Sequence, residues 1–215
     1  MVKSEKLKKS DIVIFHNAQS RSLIAPLGTS RLYIFDVLLS SGEHVLNLTI
    51  EPKKDALIHV VVLAKLSNKA TLTLQTNQFH NAPSGFSDFL CKVVLFDSAR
   101  FNYSGTVDIT VNGQHAHAYQ RNESLLMSES AYVSSEPKLE ISANEVFCTH
   151  GATTGFVSPD ILYYMASRGL PEKQALQLVS TGFLSSGLDK VEKICLDNYV
   201  KDLYSLDVLD FKTKT

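Results

Sequence analysis

The sequence predicts a mostly β protein, a β body followed by a small helical cap, and three observations predict it. Short apolar segments with a two-residue period, or apolar runs of strand length, follow one another from residue 11 to about residue 145. No helical pattern interrupts them, which excludes alternating β-α-β units. After Gly155 the period changes to about 3.6 residues and stays there.

Taken in order, Leu46, Leu48 and Ile50 alternate with mostly polar neighbours, and residues 58–63 form a continuous apolar run. Leu72 and Leu74 alternate again, residues 93–96 are a second run, and Val107, Ile109 and Val111 and then Leu139 and Ile141 complete the series. Each segment reads as a strand, with centres roughly thirteen to twenty residues apart and turn-forming links such as Ser40-Ser41-Gly42 between them. A sandwich, a barrel or a β-solenoid would all give this spacing.

Ser158-Pro159 then supplies a helix start, Ile161, Leu162 and Met165 share a face, and Gly169 ends the helix. A second helix from near Pro171 is expected to bury Ala175, Leu178, Val179 and Phe183. A third, over residues 188–204, carries Val191, Ile194, Cys195 and Tyr199 as its apolar stripe. The organisation expected is a polar segment over residues 1–10, a β core over 11–155, a helical domain over 156–207 and a polar tail over 208–215.

Composition narrows the function classes. A chain of 215 residues with 44% hydrophobic content can bury a substantial core. Its 21 basic and 22 acidic residues nearly cancel, so charge gives no reason to expect a nucleic-acid or membrane partner. Lys3, Lys6, Lys8 and Lys9 read as a solvated end. No signal-peptide pattern or bilayer-length apolar run is present, so a cytoplasmic protein is expected, in which the three glycosylation-type triplets starting at Asn47, Asn102 and Asn122 are chance matches. Cys91, Cys148 and Cys195 are too few and too scattered for a disulfide framework, and reduced thiols follow.

The chemistry concentrates in residues 137–155, where Cys148 and His150 stand two apart at the end of a strand-like segment. On extended backbone they point the same way and could share one soft metal or cluster site. On residue type alone, a buried cysteine acting as a small hydrophobe and a hydrogen-bonded structural histidine are the favoured explanation. His115 and His117 form a second same-face pair on an expected strand, read as an exposed strand face because two ligands do not make a site. Cys91 and Cys195 read as core residues. The chain lacks a phosphate-binding Gly-rich loop, a Gly-x-Ser-x-Gly elbow, a His-Glu-x-x-His helix and a Cys-x-x-Cys pair.

Several stretches carry a resemblance in the right order and spacing: Tyr119-Gln120-Arg121-Asn122, Leu125-Leu126-Met127-Ser128, Pro137-Lys138-Leu139-Glu140-Ile141, Cys148-Thr149-His150-Gly151-Ala152-Thr153 and Leu162-Tyr163-Tyr164-Met165-Ala166-Ser167-Arg168-Gly169. From about residue 101 to 183 the chain resembles the SufB/SufD family, the scaffold subunits of the SUF iron-sulfur cluster assembly machinery. The resemblance implies a right-handed parallel β-helix with a small C-terminal helical cap and a non-catalytic role. It implies that Cys148 and His150 are candidate ligands, at a subunit interface, for a transient iron-sulfur cluster or its iron. Three cysteines cannot supply the four thiolates a cluster usually takes, so such a site would be shared with another subunit.

Gly151 follows the histidine where SufB-like sequences tend to carry an acid, which places the chain nearer SufD. Typical members are nearly twice as long, so the chain reads as a shortened form. The resemblance further implies that nucleotide is handled by a partner, the SufC ATPase, docked around Tyr163, Tyr164, Arg168 and the second helix, and that the chain pairs with a SufB-like subunit or a second copy of itself. Packing of the two tyrosines against the β body is the alternative for those residues. For function, the alternatives are a β-helix polysaccharide lyase or hydrolase using Asp97, Asp108 and Glu140, and a degenerate paralogue that keeps only the interaction role.

Overall fold

The computed structural model of the protein describes residues 7–195 and 207–209. Strands β1 (Ile12–Phe15), β2 (Arg21–Ala25), β3 (Ser30–Leu39), β4 (Glu43–Pro52), β5 (Leu57–Leu66), β6 (Thr71–His80), β7 (Phe86–Leu95), β8 (Arg100–Ile109), β9 (His117–Leu126), β10 (Tyr132–Ile141) and β11 (Phe147–Phe156) are followed by helices α1 (Pro159–Ser167), α2 (Glu172–Ser185) and α3 (Asp189–Ile194). The odd strands form one sheet in the order β1-β3-β5-β7-β9-β11, and the even strands form the other, β10-β8-β6-β4-β2. Every pairing is parallel. Ser30 pairs with Leu57, Leu57 with Phe86, Phe86 with His117 and His117 with Phe147, so the chain crosses between sheets and returns after about thirty residues. This is a parallel β-helix of about five turns.

The two strand patterns in the sequence are the signatures of the two sheets. Even strands keep one face in solvent, and β4, β6 and β8 alternate between buried and less buried residues. Strands β5 and β7 are covered on both faces, and the unbroken apolar stretches Val60-Val61-Val62-Leu63-Ala64 and Val93-Val94-Leu95 lie within them. Inside the helix, Phe35, Val62, Cys91, Leu48, Leu74, Phe101 and their neighbours form one core. Outside the odd sheet, Leu32, Ile34, Val61, Leu63 and Val94 form a second with Leu184, Leu188, Val191 and Cys195 from the cap.

The turns repeat as strictly as the strands. Gly28, Asp55, Ser84 and His115 each stand two residues before an odd strand, and all have positive φ, at 64°, 54°, 57° and 61°. His115 is therefore a left-handed turn residue rather than the strand neighbour of His117 that the sequence suggested. Val111 likewise lies in a turn beyond the end of β8 and is exposed.

In the cap, Gly169 takes φ 83° just after α1, as expected of a helix stop. Ser158 occupies the N-cap position without a side-chain capping bond. The buried face of α2 is Ala175, Ser180 and Leu184, whereas Leu178, expected inside, is exposed. Leu184 and Phe183 of α2 pack into the outer core, and Leu178 lies on the face of the helix left to solvent. The third helix is described to Ile194, and the expected continuation to residue 204, with Tyr199, lies outside the described residues. Val208 and Leu209, assigned from sequence to a polar tail, are buried in the outer core, and the Val208 N–H donates to Asp36 Oδ1 at 3.1 Å. Leu7 is buried there too, within the stretch read as polar.

Candidate functional site

A β-helix stacks like residues in columns, so each coil covers the interior of the one before it. The last coil, β10 and β11, has nothing of the described chain stacked upon it: β11 ends the odd sheet and β10 the even one. Register fixes which side chains point inward. Cys148, His150, Ala152, Thr154 and Phe156 of β11 stand over Ala118, Gln120, Asn122, Ser124 and Leu126 of β9, all of which are buried. Leu139 and Ile141 of β10 stand over buried Val107 and Ile109. In the terminal coil these inward-phase residues are uncovered, with Leu139 38%, Ile141 41% and Phe156 61% exposed.

Cys148 and His150 thus share the inward face of an edge strand, with Cα atoms roughly 7 Å apart at two residues of strand rise. Cys148 is half-buried and packs on the small apolar cluster of Val107, Ile109, Ala116, Ala118 and Ala143. That burial pushes its thiol pKa up, so the free side chain is a protonated thiol and a metal must displace the proton on binding. His150, one step further along, is exposed. A thiol and an imidazole suit iron or an iron-sulfur cluster, yet among the described residues no three His, Cys, Asp or Glu side chains gather around one metal position. The arrangement offers two ligands at an opening.

The other candidates are placed elsewhere. His115 Nδ1 lies 3.3 Å from Glu145 Oε2, and His117 stacks on Phe147 with centroids 4.8 Å apart, so the two histidines serve separate contacts on the outer surface. Cys91 lies wholly inside the helix and Cys195 inside the outer core, as expected of core thiols, and burial raises both. Tyr163 and Tyr164 are 78% and 59% exposed, which overturns the packing alternative for them. The Arg168 guanidinium lies over the Tyr164 ring at 5.2 Å. Ile161 of α1 and Leu178 of α2 are exposed as well, so the two helices carry several apolar and aromatic side chains in solvent. Of the three acids weighed for a glycosidic site, Asp108 and Glu140 are register partners, but Asp97 lies in the turn before β8, roughly 25 Å of strand away. Asp97 Oδ2 there accepts the Asn68 N–H at 2.8 Å.

Sequence reasoning missed the polar interior beneath the opening: Gln120, Asn122 and Ser124 of β9 are buried, and Asn122 Nδ2 donates to Ser135 Oγ at 3.0 Å. The strand alternates polar residues with polar residues, and no hydrophobic phase marks which set points inward.

Fold and site together define a class: a capped parallel β-helix whose open terminal coil presents a thiol and an imidazole. The family model described as SUF system FeS cluster assembly, SufBD core domain, matches residues 6–183, and the chain belongs to that family, nearer its SufD members. It is 28% identical over 192 residues to an iron-sulfur cluster assembly SufBD family protein of Synechocystis sp., an alignment covering 89% of this chain and 42% of the relative. It is 32% identical over 154 residues to the iron-sulfur cluster assembly protein SufD of Bacillus subtilis, covering 72% and 34%. With SufD of Escherichia coli the identity is 32% over 104 residues, covering 48% and 25%. The chain spans between a quarter and under half of the length of these relatives. The family is described by its part in SUF system iron-sulfur cluster assembly. Among the described residues no helix is long and apolar enough to cross a membrane.

Proposed function

We propose that the chain is a non-catalytic, SufD-like scaffold subunit. It pairs through its open terminal coil with a SufB-like subunit or a second copy of itself, and it contributes Cys148 and His150 to a ligand set shared across that junction. The cargo is a nascent iron-sulfur cluster or its iron, held transiently. One observation carries the reading: both residues occupy the inward phase of the edge strand β11, where a second chain would complete the set. An edge strand of ten residues presents unpaired backbone groups along its length, and a partner strand satisfies them. The chain binds no nucleotide itself, and a SufC-like ATPase docks on α1 and α2, where Ile161, Tyr163, Tyr164 and Leu178 are exposed and Arg168 lies over Tyr164. The aromatic and arginine content there is that of an interaction surface. The cytoplasm is the compartment in which reduced thiols of this kind persist.

The test is cluster loading of the reconstituted complex. The double variant Cys148→Ser, His150→Ala is expected to reduce iron and sulfide content several-fold while the complex still assembles. Unchanged loading removes the ligand role.

A further inference from the structure

Successive residues of a strand in a parallel sheet turn their backbone groups to opposite neighbours. The Phe147 N–H donates to the Ala116 carbonyl, just ahead of β9, at 2.9 Å. Odd-numbered residues of β11 therefore bond to β9. The even-numbered ones, Cys148, His150, Ala152, Thr154 and Phe156, turn their N–H and C=O groups to the free edge. In β10 the Tyr132 and Ser142 N–H groups donate to the carbonyls of Ala99 and Ile109, at 3.0 and 2.8 Å, so there the odd-numbered residues face the free edge. Pro137 is one of them and has no N–H to offer.

The two sheets have four edge strands among the described residues, and three of them carry a feature that discourages pairing. Strands β1 and β2 are only 4 and 5 residues long. Strand β10 is interrupted at mid-edge by Pro137, between Glu136 and Lys138. Strand β11 has 10 residues, with no proline and no Lys, Arg, Asp or Glu. Leu139, Ile141 and Phe156 of the same coil are exposed beside it. Natural sheets blunt a long, uncharged edge next to apolar side chains unless a partner uses it.

We infer that the β11 edge, rather than the β10 edge, takes the β11 strand of a second copy of this chain, antiparallel about a two-fold axis. An axis normal to the sheet keeps inward faces inward, so even-numbered residues oppose even-numbered ones and exchange their hydrogen bonds. The occupant is a second copy because its β11 offers the same free backbone groups, and their union uses up both long edges, so that assembly stops at two. The partner strand then bonds to the backbone of Cys148 and His150 themselves. This rests on the reading of the open coil as a pairing surface.

Amide hydrogen exchange of the full chain, followed by nuclear magnetic resonance at low and high protein concentration, tests it. The amides of Cys148, His150, Ala152 and Thr154 are expected to exchange about tenfold or more slowly at the higher concentration. Those of Thr149, Gly151 and Thr153, already bonded to β9, and of Val133, Ser135, Leu139 and Ile141 on the β10 edge, are expected to stay the same. Ala152→Pro removes an edge-facing N–H and no bond to β9, so it is expected to weaken self-association in sedimentation by about tenfold or more with Tm unchanged. Should that variant fail to fold, the exchange pattern of the unsubstituted chain decides alone. Even-numbered amides that exchange equally fast at both concentrations, or protection gained on β10 instead, overturn the inference. Cluster loading of the complex with a SufB-like subunit is a separate readout, so its loss and the loss of self-pairing are told apart.

Discussion

At Gly105 the β8 backbone passes so close to its neighbours that a Cβ there would lie 2.2 Å from the Tyr103 hydroxyl and 2.3 Å from Gln120 Nε2. The missing side chain is what lets those two polar groups lie inside the coil, so Gly105→Ala acts as overpacking. It is expected to lower stability by about 2 kcal/mol in urea unfolding, whereas alanine at Gly182, where no atom lies within 4 Å, does not. His80 makes the interior sensitive to acid. Burial depresses its pKa to about 4, against an unfolded value of 6.5. The unfolded chain therefore binds the proton first, and the stability that neutral His80 contributes is complete above pH 6.5 and is lost as pH falls towards 4. Thermal unfolding of His80→Asn should consequently show a shallower fall between pH 6.5 and 4 than the unsubstituted chain. Equal slopes would show that His80 does not set the acid response.

At the scale of elements, the cap is held to the β-helix by a charge as well as by apolar packing. Lys92 of β7 is buried, its Nζ 2.5 Å from Glu123 Oε2 on the neighbouring strand and 4.1 Å from the centroid of Phe183 on α2. Removing the acid strands a buried ammonium, whereas removing the lysine leaves a carboxylate that is partly in water. Glu123→Ala is therefore expected to destabilise by about 1–3 kcal/mol and Lys92→Met by less than about 1 kcal/mol, measured by denaturant midpoint. The reverse order would mean that the lysine stem, not the charge, is what matters. At the far end, Asp36 takes the His16 ring at 2.9 Å and the Val208 N–H at 3.1 Å, fastening both ends of the described chain to β3.

For the whole molecule, two exposed surfaces lie on different elements: the inward face of the open coil, with Phe156, and the face of α1, with Tyr163 and Tyr164. If each serves its own partner, their losses separate. Phe156→Lys is expected to weaken pairing at least tenfold in sedimentation experiments while leaving capture of the ATPase unchanged. Tyr163→Ala with Tyr164→Ala is expected to do the opposite. A variant that loses both together would place the two functions on one surface.

The sequence by itself determined that the chain is β first and helical last, because side-chain period reports local backbone directly. It even held the distinction between the sheets, in the alternation at residues 46–50 and the apolar run at 58–63, which His59 alone interrupts, because one sheet meets water and the other is covered by the cap. It placed Cys148 and His150 on one face, since they are two apart on a strand. Period two, however, says nothing of a strand's partner or direction, and the coils vary in length, so the parallel stack was reached only through the family resemblance. His115 looked like a strand residue because its left-handed turn is a backbone state that histidine does not announce. Only the tertiary structure decided that β9 turns Gln120 and Asn122 inward and that β11 is the last strand among the described residues. The physical reason is that burial in a solenoid comes from the next coil, roughly thirty residues away. A residue's own neighbours in sequence cannot show whether that coil is there.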